Sequence, residues 1–226
     1  MLIKENLEKL RAQIEKAAAR VGRCADEITL VAVAKTFNPE KIQEAIDAGV
    51  KIIGENRVQE AEEKFAIIGN SAQWHMVGHL QTNKVKDALH IFSLIHSLDS
   101  IKLCQEIEKR AEVPVDCLIE VNTSKEPSKF GLAPNELSRF FEKVLEFKKI
   151  NVLGLMTIGP GWAVEDPEAS RLCFRVLHDL RDGLAGEFDM PLPILSMGMT
   201  SDFEVAIEEG SSMIRIGSAI FGKRNG

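Results

Sequence analysis

The sequence lacks the features of secreted, thiolate-metal and membrane-spanning proteins. Its four cysteines lie far apart, at 24, 104, 117 and 173, and form no C-x-x-C pair, which argues against a disulfide framework or a thiolate zinc site. No apolar run approaches the roughly 18 residues that a bilayer-spanning helix needs. Residues 1–22 form a charged amphipathic pattern rather than a signal peptide. We therefore expect a soluble cytoplasmic protein with no membrane partner.

Concentrated positive charge is absent too. Lys and Arg number 28 against 34 Asp and Glu, which gives a formal net charge of −6. Binding to a nucleic-acid backbone needs a cluster of basic side chains, and none dominates here. We therefore expect no nucleic-acid partner.

What the sequence does contain is a regular alternation of short apolar runs and helical patterns. Runs without polar alternation, such as TLVAVA, are typical of parallel strands buried on both faces. Eight such strands with intervening helices predict an α/β fold, a single (β/α)8 TIM barrel over 1–226 with an extra N-terminal helix. An open doubly wound sheet is the alternative, which the lack of a G-x-G-x-x-G turn disfavours. The predicted strands lie at 29–34, 51–53, 73–77, 92–97, 115–121, 152–156, 193–196 and 213–216.

Local signals place three of the helices. Asn38 and Pro39 predict an N-cap and a first-turn proline, and Gly49 predicts the end of the same helix. Ser201 and Glu204 fit an S-x-x-E capping box. Gly217, with the serine that follows it, predicts the start of a short final helix.

Lys35 follows the first predicted strand directly. An ammonium at the mouth of an apolar barrel either pairs with an anion or loses its proton as desolvation lowers its pKa. A neutral amine condenses with an aldehyde to form a Schiff base. Position alone leaves both alternatives open.

The ends of the last two strands resemble a phosphate cup. Gly198 permits close backbone approach, and Thr200 offers a hydroxyl and an N–H group beside it. Gly217 and Ser218 form a second such opening. Arg215 alternates with isoleucines in the eighth strand, so it faces the opposite side from both and, if buried, needs an acid or a ligand acceptor as a partner. An amine, a phosphate cup and an arginine together suit pyridoxal 5′-phosphate (PLP).

The motifs carry a resemblance to a known family over nearly the whole chain. In family order they are VAVAKT, IGENRVQE, WHMVGHLQTNK, HSLDS, SKFGL, LGLMTI, SMGMTSDFEVAI and IRIGSAIFG. The chain resembles the YggS/PROSC family of pyridoxal phosphate homeostasis proteins, related in fold to the N-terminal barrel of alanine racemase. The resemblance implies a PLP fold type III barrel without the C-terminal β-domain.

The resemblance also assigns the site. It makes Lys35 the Schiff-base lysine that carries PLP as a covalent aldimine, and it places Asn56 and Met156 along the cofactor. The implied phosphate contacts are Ser196, Met199, Thr200, Gly217 and Ser218. Arg215 would face the pyridine nitrogen. No catalytic residue and no metal ligand is implied.

An arginine at the pyridine nitrogen disfavours protonation of that nitrogen and weakens the ring as an electron sink. Racemases of this fold resemble one another in using a tyrosine as the opposing base, whereas this sequence contains no tyrosine and ends soon after the eighth strand. We therefore expect a monomer that binds, stores and delivers PLP, with apo PLP-dependent enzymes as recipients. A racemase-like PLP enzyme and a cofactor-free Schiff-base aldolase are the alternatives.

Three further groups receive weaker interpretations. His75 and His79 show H-x-x-x-H spacing, but without the glutamate of a zinc protease, so a metal site is not expected. Gln81, Asn83 and Lys84 indicate a loop entering a helix. Lys129 either covers the cofactor or is a solvated lysine, and the solvated reading is the default.

Overall fold

The computed structural model describes residues 2–222 as a closed barrel of eight parallel strands. Each strand pairs with the next along the chain, and the eighth pairs with the first in register, Thr29 beside Met213. The strands are β1 (Thr29–Val33), β2 (Ile52–Glu55), β3 (Gln73–Met76), β4 (Leu94–Leu98), β5 (Val115–Glu120), β6 (Ile150–Met156), β7 (Ile194–Ser196) and β8 (Met213–Ile216). The predicted TIM barrel is confirmed, and the open sheet is excluded.

Helices surround the barrel. They are α1 (Ile3–Arg20), α2 (Pro39–Asp47), α3 (Val58–Ile68), α4 (Val85–Ala88), α5 (Ile101–Arg110), α6 (Leu137–Val144), α7 (Arg171–Phe188), α8 (Phe203–Glu208) and α9 (Ser218–Phe221). Among the described residues no helix is long and apolar enough to cross a membrane.

Strand alternation divides the apolar residues into two clusters. Outward-facing side chains of the strands pack with the buried faces of the helices in one continuous core. Inward-facing side chains fill the barrel in a smaller cluster of Val31, Val77, Leu94, Leu118, Met156 and Met213. In β8, Ile214 and Ile216 belong to the outer core and Arg215 faces inward, on the opposite side from both isoleucines as predicted.

The helix α1 is the extra N-terminal helix that the sequence predicted. Its buried stripe includes Leu7, Leu10 and Ile14. It packs on α2 and α8, and the Asn6 amide donates to the carbonyl of Ile220 in α9 at 2.8 Å. The amphipathic pattern therefore joins the first helix to the last.

Local capping signals are confirmed for α2 and corrected for α8. The Asn38 side chain accepts the N–H of Lys41, and Gly49 adopts φ = 95°. The capping box of Ser201 and Glu204 is wrong, because α8 starts later and Asp202 is its N-cap residue.

Strand boundaries differ slightly from those predicted. The strand β2 continues to Glu55 because it pairs with β3 as far as Met76. The strand β4 starts only at Leu94, because Phe92 still belongs to the turn after α4, where its N–H donates to Ala88.

Candidate functional site

A cavity of about 430 Å³ opens at the carboxyl ends of the strands. Seven of the predicted site residues line it: Lys35, Asn56, Met199, Thr200, Arg215, Gly217 and Ser218. Apolar side chains supply much of the remaining wall, and they are Val33, Phe37, Val77, Ile158 and Val164. The topology therefore brings together residues that are spread over most of the sequence.

Met156 and Ser196 are not part of this wall. Both are buried at the ends of their strands, and alternation turns them into the barrel interior below Arg215. The expectations that Met156 lies along the cofactor and that Ser196 contacts the phosphate stay predictions. Ser196 contacts the guanidinium of Arg215.

The turn that carries Lys35 is held from both sides by α3. Nζ of Lys64 donates to the carbonyl of Ala34 at 2.9 Å and to Oε1 of Glu55 at 2.6 Å. Oε2 of Glu60 accepts the N–H of Thr36 at 3.2 Å. Thr36 itself has φ = 70°, an unfavourable conformation for a β-branched residue. The backbone on each side of Lys35 is thus fixed by charged groups.

The Glu55 to Lys64 ion pair is buried and was not apparent in the sequence. Burial raises the pKa of Glu55, while its hydrogen bond to Lys64 opposes that increase. Removing one member would leave the other charge uncompensated. The spacing of nine residues across a strand-to-helix connection gave no local signal of this contact.

The predicted phosphate cup consists of close-packed backbone. Gly198 has φ = 94°, and a Cβ there would lie 2.6 Å from Cβ of Ala206. In the part of the chain that the structure describes, no hydrogen bond uses the backbone N–H of Thr200 or Ser201. Backbone donors without a partner beside a cavity are a suitable environment for an anion.

Asp202 shapes this loop in place of the predicted capping box. Its Oδ1 accepts the N–H of Met199 at 2.7 Å, and its Oδ2 accepts the hydroxyl of Ser170 at 2.6 Å. Glu204 pairs with Arg20 of α1 instead of capping. The Ser201 side of the loop is therefore left facing the cavity.

Arg215 lies at the floor of the cavity. Its Nη1 donates to Oγ of Ser196 at 2.7 Å, and its Nη2 donates to the carbonyl of Thr157 at 2.8 Å. Burial lowers the pKa of Arg215 to about 10, and the carboxylates of Asp202 and Glu120 oppose that decrease. The guanidinium is therefore still charged at neutral pH, with N–H donors to spare.

The aromatic ring of Phe37 is a contributor that sequence reasoning missed. It lines the cavity two residues after Lys35 and stacks on Phe221 of α9, with ring centroids 4.9 Å apart. Its position in the loop after β1 is the only sequence signal that could have found it.

The two histidines of the H-x-x-x-H pattern lie in different surroundings. His75 is buried, and its Nδ1 lies 3.1 Å from Nε2 of His96. His79 stacks on Phe130 with centroids 4.0 Å apart, and its Nδ1 lies 3.3 Å from Asp99. Neither arrangement resembles a pair of ligands to one metal.

Lys129 joins two loops over the barrel mouth. Its Nζ contacts Oε1 of Glu126 at 2.6 Å and donates to the carbonyl of Gly159. The default reading of a solvated lysine is therefore wrong. Gln81 and Lys84 line a neighbouring cavity of about 590 Å³ that shares Asn56 with the first.

Comparison with known families identifies this architecture. Residues 5–225 match the family described as alanine racemase, N-terminal domain. The chain belongs to this family. The resemblance drawn from the sequence motifs is confirmed.

Within the alanine racemase N-terminal domain family, the chain is similar to proteins named pyridoxal phosphate homeostasis protein. One from Aquifex aeolicus is 46% identical over 224 residues, which cover 97% of each chain. One from Escherichia coli is 38% identical over 233 residues, covering 99% of this chain and 97% of its relative.

Solved structures share the barrel. PipY of Synechococcus elongatus, solved with PLP bound, is 30% identical, with a TM-score of 0.85 over 97% of this chain and all of PipY. Alanine racemase of Clostridium difficile is 14% identical, with a TM-score of 0.77, and the match covers all of this chain but 57% of the racemase. The second likeness is one of fold alone.

Proposed function

We propose that this chain binds PLP in the cavity at the carboxyl ends of the strands, joined to Nζ of Lys35 as a Schiff base. The observation that carries the proposal is the convergence on one cavity of Lys35, Arg215, and the N–H groups of Thr200 and Ser201, which bond to none of the described residues. The PLP-bound structure of PipY, a 30% identical relative, supports it.

The residues present fit the group. Gly198 and Gly217 lie where the backbone is closely packed, since a Cβ at either position would press on Ala206 or on the carbonyl of Val33, and the backbone N–H groups of Thr200 and Ser201 beside them are donors suited to a phosphate. The apolar wall suits the face of an aromatic ring. Arg215 presents donors where an unprotonated ring nitrogen would accept one.

The chemistry that PLP supplies when bound is an aldehyde for amines and an electron-withdrawing ring. In this chain, Lys64 and Glu60 orient the Lys35 turn, and Ile158 and Val164 contribute apolar surface to the cavity. Arg215 stays cationic, which keeps the ring nitrogen unprotonated and limits carbanion chemistry.

We propose that the whole chain, 1–226, acts as one cytoplasmic, monomeric domain that holds PLP and delivers it to apo PLP-dependent enzymes, with little amino-acid turnover. The names of its relatives, which refer to PLP homeostasis, support this role over catalysis.

The first test is trapping of the lysine. Protein incubated with PLP should show the visible band of a pyridoxal Schiff base, and borohydride followed by peptide mapping should place the label on Lys35. Lys35→Ala should lose both signals, whereas Lys143→Ala, which removes an exposed lysine of α6, should retain them. Absence of the band in the unchanged protein would contradict the proposal.

Delivery and turnover are measured separately. PLP-loaded protein should reactivate an apo PLP-dependent enzyme in the presence of a phosphatase that destroys free PLP. Deuterium exchange at the α-carbon of amino acids in heavy water should stay near the rate given by free PLP. Rapid exchange would favour the racemase-like alternative.

A further inference from the structure

A row of polar side chains crosses the barrel interior beneath Arg215. Nη1 of Arg215 lies 2.7 Å from Oγ of Ser196, which lies 3.0 Å from Nδ1 of His96. Nε2 of His96 lies 3.1 Å from Nδ1 of His75. None of the four side chains is more than 4% exposed. The row connects four strands, β8, β7, β4 and β3, through side chains alone.

The protonation states in this row follow from its surroundings. Burial lowers the pKa of His75 to about 4, and burial, His75 and Arg215 together lower the pKa of His96 well below its usual value. Both imidazoles are therefore neutral near pH 7. Each neutral ring has one nitrogen that donates and one that accepts.

One direction of the hydrogen bonds satisfies the buried Ser196 hydroxyl, whereas the other tautomer of His96 would leave that hydroxyl hydrogen without an acceptor among the described residues. A guanidinium only donates, so Oγ of Ser196 accepts from Arg215. Among the described residues, the one acceptor within reach of the Ser196 hydroxyl hydrogen is Nδ1 of His96. His96 must then carry its proton on Nε2 and donate it to Nδ1 of His75. Every bond in the row runs away from Arg215.

We propose that Ser196, His96 and His75 are positioning residues for Arg215, acting as a one-way hydrogen-bond chain that fixes the guanidinium under the cavity. This inference rests on the proposed function, in which Arg215 faces the pyridine nitrogen of PLP. Donation from Ser196 to His96 polarises Oγ and makes it a stronger acceptor for the guanidinium.

Two anchors prevent the guanidinium plane from turning. The chain holds Nη1, and the carbonyl of Thr157 holds Nη2 at 2.8 Å. With both nitrogens held, the orientation of the guanidinium beside the cavity that it lines is fixed. The carboxyl groups of Asp202 and Glu120 act on the same cation through space. Unlike these two carboxyl groups, the hydrogen-bond chain contacts the guanidinium of Arg215 directly and therefore determines its orientation.

The first experiment reads the tautomers directly in the unchanged protein. Long-range ¹H–¹⁵N correlation spectra at pH 7 should show both His75 and His96 neutral, with the proton on Nε2. A proton on Nδ1 of His96, or an imidazolium at either position, would overturn the proposal. Because this measurement needs no PLP, it tests the direction of the hydrogen-bond chain even if the proposed function fails.

The second experiment interrupts the hydrogen-bond chain by substitution and detects the effect on Arg215 through the ring nitrogen of PLP. With ¹⁵N-labelled PLP, the ring nitrogen should resonate as unprotonated in the unchanged protein. Ser196→Ala and His96→Leu should move it toward the protonated value and weaken PLP retention about tenfold, as expected for loss of one charge-assisted hydrogen bond. Trapping at Lys35 should persist, and Ser196→Thr should restore the unchanged spectrum.

Ser97→Ala is the matched control. Ser97 is buried in β4 next to His96, and its hydroxyl has no hydrogen-bond partner among the described residues. Its removal should leave the ring-nitrogen signal unchanged. If His96→Leu fails to fold, the nearly isosteric Ser196→Ala still decides. A folded Ser196→Ala protein with an unchanged ring-nitrogen signal and unchanged PLP retention would refute the positioning role of the hydrogen-bond chain. Failure of the unchanged protein to bind PLP would instead refute the proposed function.

Discussion

At the scale of single residues, Thr36 has an unfavourable backbone conformation directly beside Lys35 of the candidate site. Its φ of 70° follows Lys35 directly, and its N–H is held by Glu60. A β-branched residue in the left-handed region costs roughly 1–2 kcal/mol. The surrounding contacts therefore impose a conformation on the Lys35 turn that Thr36 alone would avoid.

Replacing Thr36 by glycine separates stability from function. Thr36→Gly removes the steric cost, so the free energy of unfolding should stay the same or rise by up to about 1 kcal/mol. The freer turn should orient Lys35 less well and slow Schiff-base formation with PLP. Denaturant unfolding and stopped-flow absorbance measure the two effects. Thr36→Ala, which keeps the strained backbone, is the control, and an unchanged rate in Thr36→Gly would refute the orienting role.

Glu120 gives the protein a defined pH dependence. Burial and the nearby Asp99 raise the pKa of Glu120 to about 7, against the opposing effect of Arg215. Between the unfolded value of 4.5 and about 7, the folded state keeps a proton that the unfolded state loses. Stability contributed by this group is therefore complete below pH 4.5 and falls as the pH rises to about 7.

Glu120→Gln should abolish that decrease. Relative to the unchanged protein, the variant without PLP should gain about 3 kcal/mol of unfolding free energy between pH 4.5 and pH 8. The quantity to compare is the difference between the unfolding free energies of the two proteins at each pH, because the contribution of the buried histidines is the same in both and cancels. Urea unfolding at several pH values measures it. Parallel curves for the two proteins would show that Glu120 ionises normally in the fold.

At the scale of elements, β6 and β7 approach each other so closely at Gly154 that a side chain at this position would not fit. Gly154 of β6 pairs with Ile194 of β7, and a Cβ on Gly154 would lie 1.8 Å from the carbonyl oxygen of Ile194. No flexible side chain can yield there, because the obstacle is backbone. Closure of the barrel between these strands therefore depends on this glycine.

Gly154→Ala should destabilise the barrel by several kcal/mol, in the range of severe core overpacking. Gly183→Ala in α7, where an added Cβ meets nothing within 4 Å, is the matched control and should be neutral or stabilising. Thermal unfolding followed by circular dichroism compares them. Equal melting temperatures for both variants would mean that the two strands can separate at no cost.

The elements were predictable because their signals are local. Apolar runs gave all eight strands, and Asn38 with Pro39 gave the start of α2. Contacts across large sequence distances were not predictable: the side chain of Asp202, the N-cap residue of α8, bonds to Ser170, and His96 reaches Ser196. No pattern within one segment encodes such pairs, which exist only once the barrel closes.

The same division holds for the candidate site. Residues within two positions of a strand end, such as Lys35 and Asn56, reach the cavity because parallel strands all end at one face. Met156 and Ser196 lie outside the cavity wall because each is the last residue of its strand, where a difference of one position turns a side chain from the mouth to the interior.

At the scale of the whole molecule, α1 connects the first residues to the site. The last helix, α9, has four residues, too few to be stable alone. Asn6 of α1 donates to the carbonyl of Ile220, and Phe221 stacks on Phe37. The Gly217 to Ser218 wall of the cavity is therefore supported by a helix from the other end of the chain.

Asn6→Ala should weaken the site without unfolding the protein. Loss of one hydrogen bond costs about 1 kcal/mol, so unfolding should change little, while PLP should be lost about fivefold faster to a scavenging apoenzyme. Leu10→Ala, which opens the buried face of α1, should instead lower the unfolding free energy by about 2–5 kcal/mol.

Glu8→Ala on the exposed face of α1 is the control for both variants and should change neither quantity. If PLP leaves the Asn6→Ala and Glu8→Ala proteins at the same rate, α1 supports the barrel without supporting the cavity. If only Asn6→Ala loses PLP faster, α1 holds the Gly217 to Ser218 wall of the cavity in place through α9.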